Sequence, residues 1–405
     1  MKLIIHDGNE AFEKELKQAL GDKEELCFIS EKQPIHNCVG CFGCWVKTPT
    51  ECLIRDGYHT TPKKCRDASE VIIISECVYG MYSPFVENVL DRTIGYIHPY
   101  FVKRGGEMHH KLRYDKVLPI KYFFYGQNTR EERTLTERIV TANTLNLNSR
   151  IVALSFAENQ EDVLAQLKGQ EVRSVTDVSI SVPVPAGKNV ELETSKIALI
   201  SASPKAGQSA SRALLDMLAD HLKTKEIVNV SLHKNTVSEQ DLEQMMDCDQ
   251  VVFSFPLYVD CLPSHFLRCL MQIEHHMVNQ KKKFHGVYAI ANNGFYDAHQ
   301  NIPAIEVIRN WCSRVDAPFA GGVAVGGGGM VVGVYASAGA NGPLKSIDNK
   351  MKELAAQICG TQDKQGKIEQ VTPNFPGFLY KMAAQMGWRD SARKNGLKIR
   401  ELDKK

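Results

Sequence analysis

The sequence predicts an α/β chain built from two tandem copies of a doubly wound parallel sheet. Three observations predict it: short apolar runs of the kind found in buried parallel strands, helical periodicity between them, and matched landmarks in two halves of the chain. Lys2-Leu3-Ile4-Ile5 and Lys196-Ile197-Ala198-Leu199-Ile200 read as the opening strands. The helix after the second shows its apolar face in Ala213, Leu214, Met217, Leu218 and Leu222. Val71-Ile72-Ile73-Ile74-Ser75 and Val251-Val252-Phe253-Ser254 read as central strands, each followed by a Tyr-containing turn and a helix. Pairing Ser75 with Ser254, Tyr79 with Tyr258 and Pro84 with Pro263 gives a constant register of 179 residues. At the opening strands the offset is 194, so the first copy carries 15 extra residues in between.

These landmarks divide the chain into a first domain over 1–185, a second over 186–370 and a C-terminal region over 371–405. Val182 to Lys188 reads as an extended linker poor in helix formers. Phe378, Leu379, Met382, Met386 and Trp388 suggest an apolar stretch that docks on the second domain. The basic end, Arg389 to Lys405, reads as a solvated terminus.

Composition narrows the function classes. In 405 residues, 49 Lys and Arg face 47 Asp and Glu, which argues against a global fit to nucleic acid or an anionic membrane. No apolar run approaches the roughly 20 residues of a membrane span, and Met1 to Asp7 enters a strand pattern without a signal-peptide layout. Twelve cysteines, several tightly clustered, point to metal or redox work in the cytoplasm rather than to a disulfide scaffold.

Ser201-Ala202-Ser203-Pro204-Lys205-Ala206-Gly207-Gln208-Ser209-Ala210-Ser211 follows the second domain's first strand and opens into a helix. Free N–H groups at a helix N-terminus, joined by Ser201, Ser203, Ser209 and Ser211 and helped by Lys205, can hold a phosphate. The competing reading is an N-capped helix after a polar turn. Pro256-Leu257-Tyr258-Val259 and Asn292-Asn293-Gly294-Phe295-Tyr296 also follow apolar strands, which places all three loops at one edge of the sheet. Together they suit a flat, amphipathic heterocycle with a phosphate tail.

Cys38, Cys41, Cys44 and Cys52 form C-x₂-C-x₂-C-x₇-C, a spacing able to wrap a cubane-type cluster. Gly40 and Gly43 allow a tight fold and leave N–H groups to bond the sulfurs. Structural zinc, ordinary thiols and a Cys41/Cys44 redox dithiol are the alternatives. Cys65, Cys248, Cys261, Cys269, Cys312 and Cys359 read as small buried hydrophobes. The pairs His109-His110 and His275-His276 lack a partner motif and read as packed or solvated histidines. No Ser-His-Asp or paired-carboxylate signature stands out, so no catalytic side chain is assigned.

The Ser-x-Ser-Pro-Lys…Ser-x-Ser loop, the Pro-Leu-Tyr turn and Asn-Gly-Phe-Tyr resemble those of the flavodoxin-like NAD(P)H-dependent FMN reductases. Pro318 to Met330 and Phe378…Gly387-Trp388-Arg389 are similar to the two-domain members, and the likeness spans both copies. It implies two tandem flavodoxin-like domains, with the FMN phosphate in the 201–211 loop and the isoalloxazine flanked by Pro256, Leu257, Tyr258, Val259, Asn293, Gly294, Phe295 and Tyr296. The cysteine run resembles that of the iron–sulfur flavoproteins, which implies a [4Fe–4S] cluster on Cys38, Cys41, Cys44 and Cys52. The first copy departs from the pattern: His6 to Glu13 lacks serine and carries Asp7, Glu10 and Glu13, which would repel a phosphate.

The expected function is an FMN-dependent oxidoreductase that moves electrons from NAD(P)H to a quinone, flavin or other small acceptor, with the cluster as a one-electron relay. The alternatives are a non-enzymatic electron carrier serving redox-protein partners, and a scaffold or sensor using the cysteines as a switch. The resemblance also implies a homo-oligomer, or a first domain standing in for the neighbour.

Overall fold

The structure, a computed structural model, describes residues 1–21, 24–169, 196–360 and 366–405. They form two compact units. The first holds Met1–Gly105, the chain from His109 to 169, and Gln385–Lys405; the second holds 196 to Ala384 together with Gly106–Met108. The expected boundary near 185 and the linker over 182–188 lie outside the described residues.

The first unit contains β1 (Lys2–His6), α1 (Glu10–Leu20), β2 (Leu26–Ile29), α2 (Gly43–Val46), α3 (Thr61–Asp67), β3 (Glu70–Glu76) and α4 (Pro84–Asp91). The hairpin β4 (Ile97–Arg104) and β5 (Glu107–Leu112) follows, then β6 (Leu118–Tyr125), α5 (Arg130–Leu147), β7 (Ser149–Ala157) and α6 (Gln160–Leu167). Its main sheet runs β2-β1-β3-β6-β7, all parallel. Counting only those strands, the order is 2-1-3-4-5, the flavodoxin-like arrangement, with its reversal between β1 and β3.

The second unit repeats the order with one more strand. It contains β8 (Lys196–Ser201), α7 (Ala210–Asp220), β9 (Glu226–Ser231), α8 (Glu239–Met246), β10 (Gln250–Pro256), α9 (Ser264–Gln280) and β11 (Gly286–Asn292). It continues through α10 (Ile302–Arg314), β12 (Phe319–Val325), α11 (Gly328–Ala338), α12 (Lys345–Ile358), β13 (Ile368–Val371) and the start of α13 (Gly377–Lys394). The parallel sheet runs β9-β8-β10-β11-β12-β13. Helices cover both faces, which is why the central strands carry apolar residues at consecutive positions. Leu214, Leu218, Ile347, Met351 and Leu354 pack on Leu199, Val252 and Ile290 in one buried cluster.

The copies align at a register of 180, not the 179 that the tyrosines suggest. Val78 bridges Met81 as Tyr258 bridges Cys261, and the Cys77 and Leu257 amides bond the ends of β6 and β11 alike. Backbone conformation carries the match: Tyr79 and Gly80 have positive φ, as do Val259 and Asp260. Tyr79 therefore corresponds to Val259, and Ser83, the N-cap of α4, to Pro263.

The C-terminal region divides. Tyr380 is buried and its hydroxyl donates to the Gly294 carbonyl at 2.7 Å, within the second unit. Phe378, Leu379, Met382 and Met386 are exposed. From Gln385 onward the residues belong to the first unit, where Trp388 packs edge-on against Phe42 and Trp45. The basic end is not a free tail. The buried Arg113 guanidinium donates to the Leu402 and Lys404 carbonyls at 2.7 and 2.6 Å, and Leu402 is fully buried.

Candidate functional site

In the second unit, seven residues, 202–208, connect β8 to Ser209, which caps α7. Ser209 Oγ accepts the Arg212 N–H at 3.2 Å, and Ser203 Oγ accepts the Lys205 N–H at 3.3 Å. Ser201, Ser203, Ser209 and Ser211 are buried along with Pro204, while residues 205–208 are exposed. Among the described residues, no backbone acceptor takes the N–H of Ala206, Gly207 or Gln208. The loop is thus an exposed turn of uncommitted N–H groups ahead of a helix N-terminus.

Hydrogen bonds tie the three expected loops together. Asn292, which ends β11 and opens the third expected loop, donates to Ser211 Oγ and to the Phe255 carbonyl, both at 3.0 Å. Its own carbonyl accepts the Leu257 N–H at 2.7 Å. The signal was present in the sequence as a polar residue closing an apolar strand. Between Pro256 and Cys261 the chain turns tightly, with Tyr258 and Cys261 exchanging two backbone bonds. Val259 has φ +43°, unusual for a β-branched residue and a form of strain that clusters at functional sites.

In the third loop, Asn293 Nδ2 donates to the Asp297 carbonyl at 3.1 Å, while its buried Oδ1 has no partner. Ser254 Oγ, on the strand beside Ser201, is also buried without one. Phe295 is buried, and the Tyr296 hydroxyl donates to the Phe375 carbonyl at 2.9 Å. Gly326 and Gly327 turn the chain from β12 into α11, which Gly328 and Gly329 open. A Cβ on Gly326 would lie 2.1 Å from the Tyr296 carbonyl oxygen, and one on Gly328 2.7 Å from that of Asn293. The glycines therefore let the 293–296 loop lie directly on this turn.

The corresponding turn of the first unit has two residues, Asp7 and Gly8, before the N-cap Asn9. The Asp7 carboxylate accepts the Glu76 N–H at 2.8 Å and the Tyr125 hydroxyl at 2.9 Å, and Gln160 donates to that hydroxyl. Burial pushes the Asp7 carboxyl up, opposed by these bonds and by Ser83. Burial likewise acts to raise Glu13, but Lys32, Ser30 and Lys17 outweigh it and hold the group at about 2. The strand ends of this sheet are closed by the unit's own carboxylates.

The cysteine segment lies between β2 and α3. Gly40 and Phe42 take positive φ, and the Gly43 N–H donates to Cys41 Sγ at 3.5 Å. Gly40 N–H bonds Cys38 in the same manner. Cys44 and Cys52 are buried, Cys38 is partly buried and Cys41 is exposed. Burial pushes the Cys38 thiol up to about 12, aided by Asp91. Cys44 is raised by burial and then by Cys38, Cys52 and Cys41, so the four sulfurs are electrostatic neighbours. Among the described residues, no group of three His, Cys, Asp or Glu is disposed to hold a metal ion. Phe42 stacks on Trp45 at 5.2 Å, and Trp45 donates to the Ile94 carbonyl at 2.7 Å.

No protein-family model matches the chain, and no curated protein matches it. Solved structures do. The Trp repressor binding protein from Bacillus subtilis is 14% identical, covering 38% of this chain and 96% of its own, with a TM-score of 0.30. A flavodoxin, WrbA-like protein from Agrobacterium tumefaciens is 9% identical over 42% and 98%, at 0.31. An NAD(P)H:quinone oxidoreductase from Methanothermobacter marburgensis is 12% identical over 50% and 96%, at 0.25.

Proposed function

We propose that this chain is an FMN-dependent oxidoreductase whose flavin site lies at the carboxyl ends of β8, β10 and β11. The observation that carries the reading is the exposed 205–208 stretch, with the uncommitted N–H groups of Ala206, Gly207 and Gln208, at the strand-order reversal of a flavodoxin-like sheet. Ser209, Ser211 and the amides of 206–208 would hold the phosphate, with Lys205 adding charge. Among the described residues, the unpartnered Asn293 Oδ1 offers an acceptor to a polar ring edge. Asn292 holds these loops to α7, which fixes their separation before any ligand arrives. When bound, FMN supplies hydride exchange between NAD(P)H and a small acceptor such as a quinone.

The cysteine segment suits a [4Fe–4S] centre better than a single ion. A cubane is larger than one ion and holds its thiolates further apart, and the Gly40 and Gly43 amides supply N–H bonds to sulfur of the kind that tunes such centres. When bound, the cluster supplies one-electron exchange. The test is the visible spectrum of anaerobically purified protein, with iron, zinc and flavin analysis and steady-state NAD(P)H oxidation. Flavin absorbance, about four irons per chain and NAD(P)H turnover are expected. Colourless protein unable to take up FMN would sink the reading.

A further inference from the structure

The cysteine segment is pinned at both ends by one buried ion pair. Arg92, 2% exposed, follows the last turn of α4. One amino group donates to the His36 carbonyl at 3.3 Å and to Asp56; the other donates to the Ile54 carbonyl at 2.9 Å and to Asp56 at 2.8 Å. Asp56 in turn accepts the His36 N–H at 2.9 Å and the Tyr58 N–H at 3.3 Å. The pair therefore joins the residues just before Cys38 to those just after Cys52. Charge attraction and a side-chain hydrogen bond also couple the guanidinium to Cys52.

Bidentate geometry of this sort fixes position as well as charge. Asp56 meets the buried charge, and the same guanidinium reaches the Cys52 sulfur. We infer that Arg92 and Asp56 form the positioning clasp of a four-cysteine centre, closing the segment so that Cys52 joins Cys38, Cys41 and Cys44, with the Arg92 charge acting on the centre. The inference rests on the iron–sulfur reading for its charge effect, but the clasp itself is separately testable.

The charge effect makes opposite predictions for the two partners. Arg92→Gln removes the cation and leaves Asp56, so the cluster's midpoint potential should fall. Asp56→Asn leaves the cation less compensated, so the potential should rise. Arg92→Lys keeps the charge without the fork and should stay near the wild-type potential. All three should lower iron and acid-labile sulfide several-fold after anaerobic reconstitution with ferrous iron and sulfide, Arg92→Gln the most. Potentials come from optical redox titration of the full chain, with far-UV circular dichroism confirming the fold. Unchanged iron content, or shifts of the same sign in Arg92→Gln and Asp56→Asn, would overturn the inference.

If the wild-type chain takes up no iron, the cluster reading fails. The clasp is then judged by mass-spectrometric alkylation. Faster labelling of Cys44 and Cys52 in Arg92→Gln than in wild type, restored in part by Arg92→Lys, supports it; equal labelling in all three proteins rejects it.

Discussion

Between β1 and the N-cap of α1 the first unit has two residues; between β8 and the N-cap of α7 the second has seven. Both turns follow a parallel strand at the strand-order reversal, and both end on a polar N-cap. In the long turn, no backbone acceptor among the described residues takes the N–H of Ala206, Gly207 or Gln208. In the short one, Asp7 takes N–H and O–H donors from the neighbouring strand ends. The same topological position thus holds an open turn in one copy and an internal carboxylate in the other. Fold alone does not decide which; loop length and one side chain do.

The contrast extends to acid stability, where the largest effect is expected. In the first unit His6 is held at about 4 and His110 at about 3, chiefly by burial, and His98 at about 4. The second unit has one buried histidine held low, His265, at about 4. A histidine buried neutral contributes fully above its unfolded value near 6.5, and that contribution is lost as pH falls toward the folded value. At roughly 1.4 kcal/mol per unit of pKa, His6 stands to lose about 3 kcal/mol and His110 about 5 kcal/mol. The first unit should therefore unfold at higher pH than the second. Fluorescence of Trp45 and Trp388 in a Trp311→Phe variant reads the first, and Trp311 in Trp45→Phe/Trp388→Phe reads the second; coincident midpoints would remove the distinction.

Ser209→Asp tests the long turn. Aspartate caps a helix as well as serine does, so folding should survive while a carboxylate faces the phosphate. FMN affinity should fall about a hundredfold, near 3 kcal/mol, measured by equilibrium dialysis. Wild-type affinity in that variant would move the phosphate site elsewhere. Asp7→Ala tests the short turn: stranding the Glu76 N–H and the Tyr125 hydroxyl should destabilise the first unit by about 2 kcal/mol, with FMN binding unchanged. A denaturant midpoint equal to wild type would show that Asp7 does not close that edge. The smallest effect is expected from Asn9→Ser, which exchanges equivalent caps and should shift stability by under about 0.5 kcal/mol. A larger shift would mean that Asn9 does more than accept the Phe12 N–H.

Much of this was legible in the sequence. The apolar strands, the tandem repeat and the strand-end loops follow from periodicity, because burial on both faces favours unbroken apolar runs such as residues 71–74 in β3 and 251–253 in β10. The one-residue register error arose because side chains were matched where backbone conformation rules. Tyr79 and Val259 share a positive φ, not a residue type. Asn292 was legible as part of the third loop, but not its bonds to Ser211 and Phe255, which lie far away in sequence. Arg113 was hidden for a similar reason, since its acceptors are carbonyls, which have no sequence signature.

The membership of Gln385–Lys405 in the first unit has a consequence in time. A ribosome releases the chain from its N-terminus, and domains ordinarily fold as they emerge. Here β1 to α6 must wait for more than two hundred further residues before Trp388 can reach Phe42 and Trp45, and before Arg113 finds its carbonyls. The aromatic wall beside the cysteines is thus among the last parts of the protein to assemble. Synthesis itself leaves an interval in which the cysteine segment stands open.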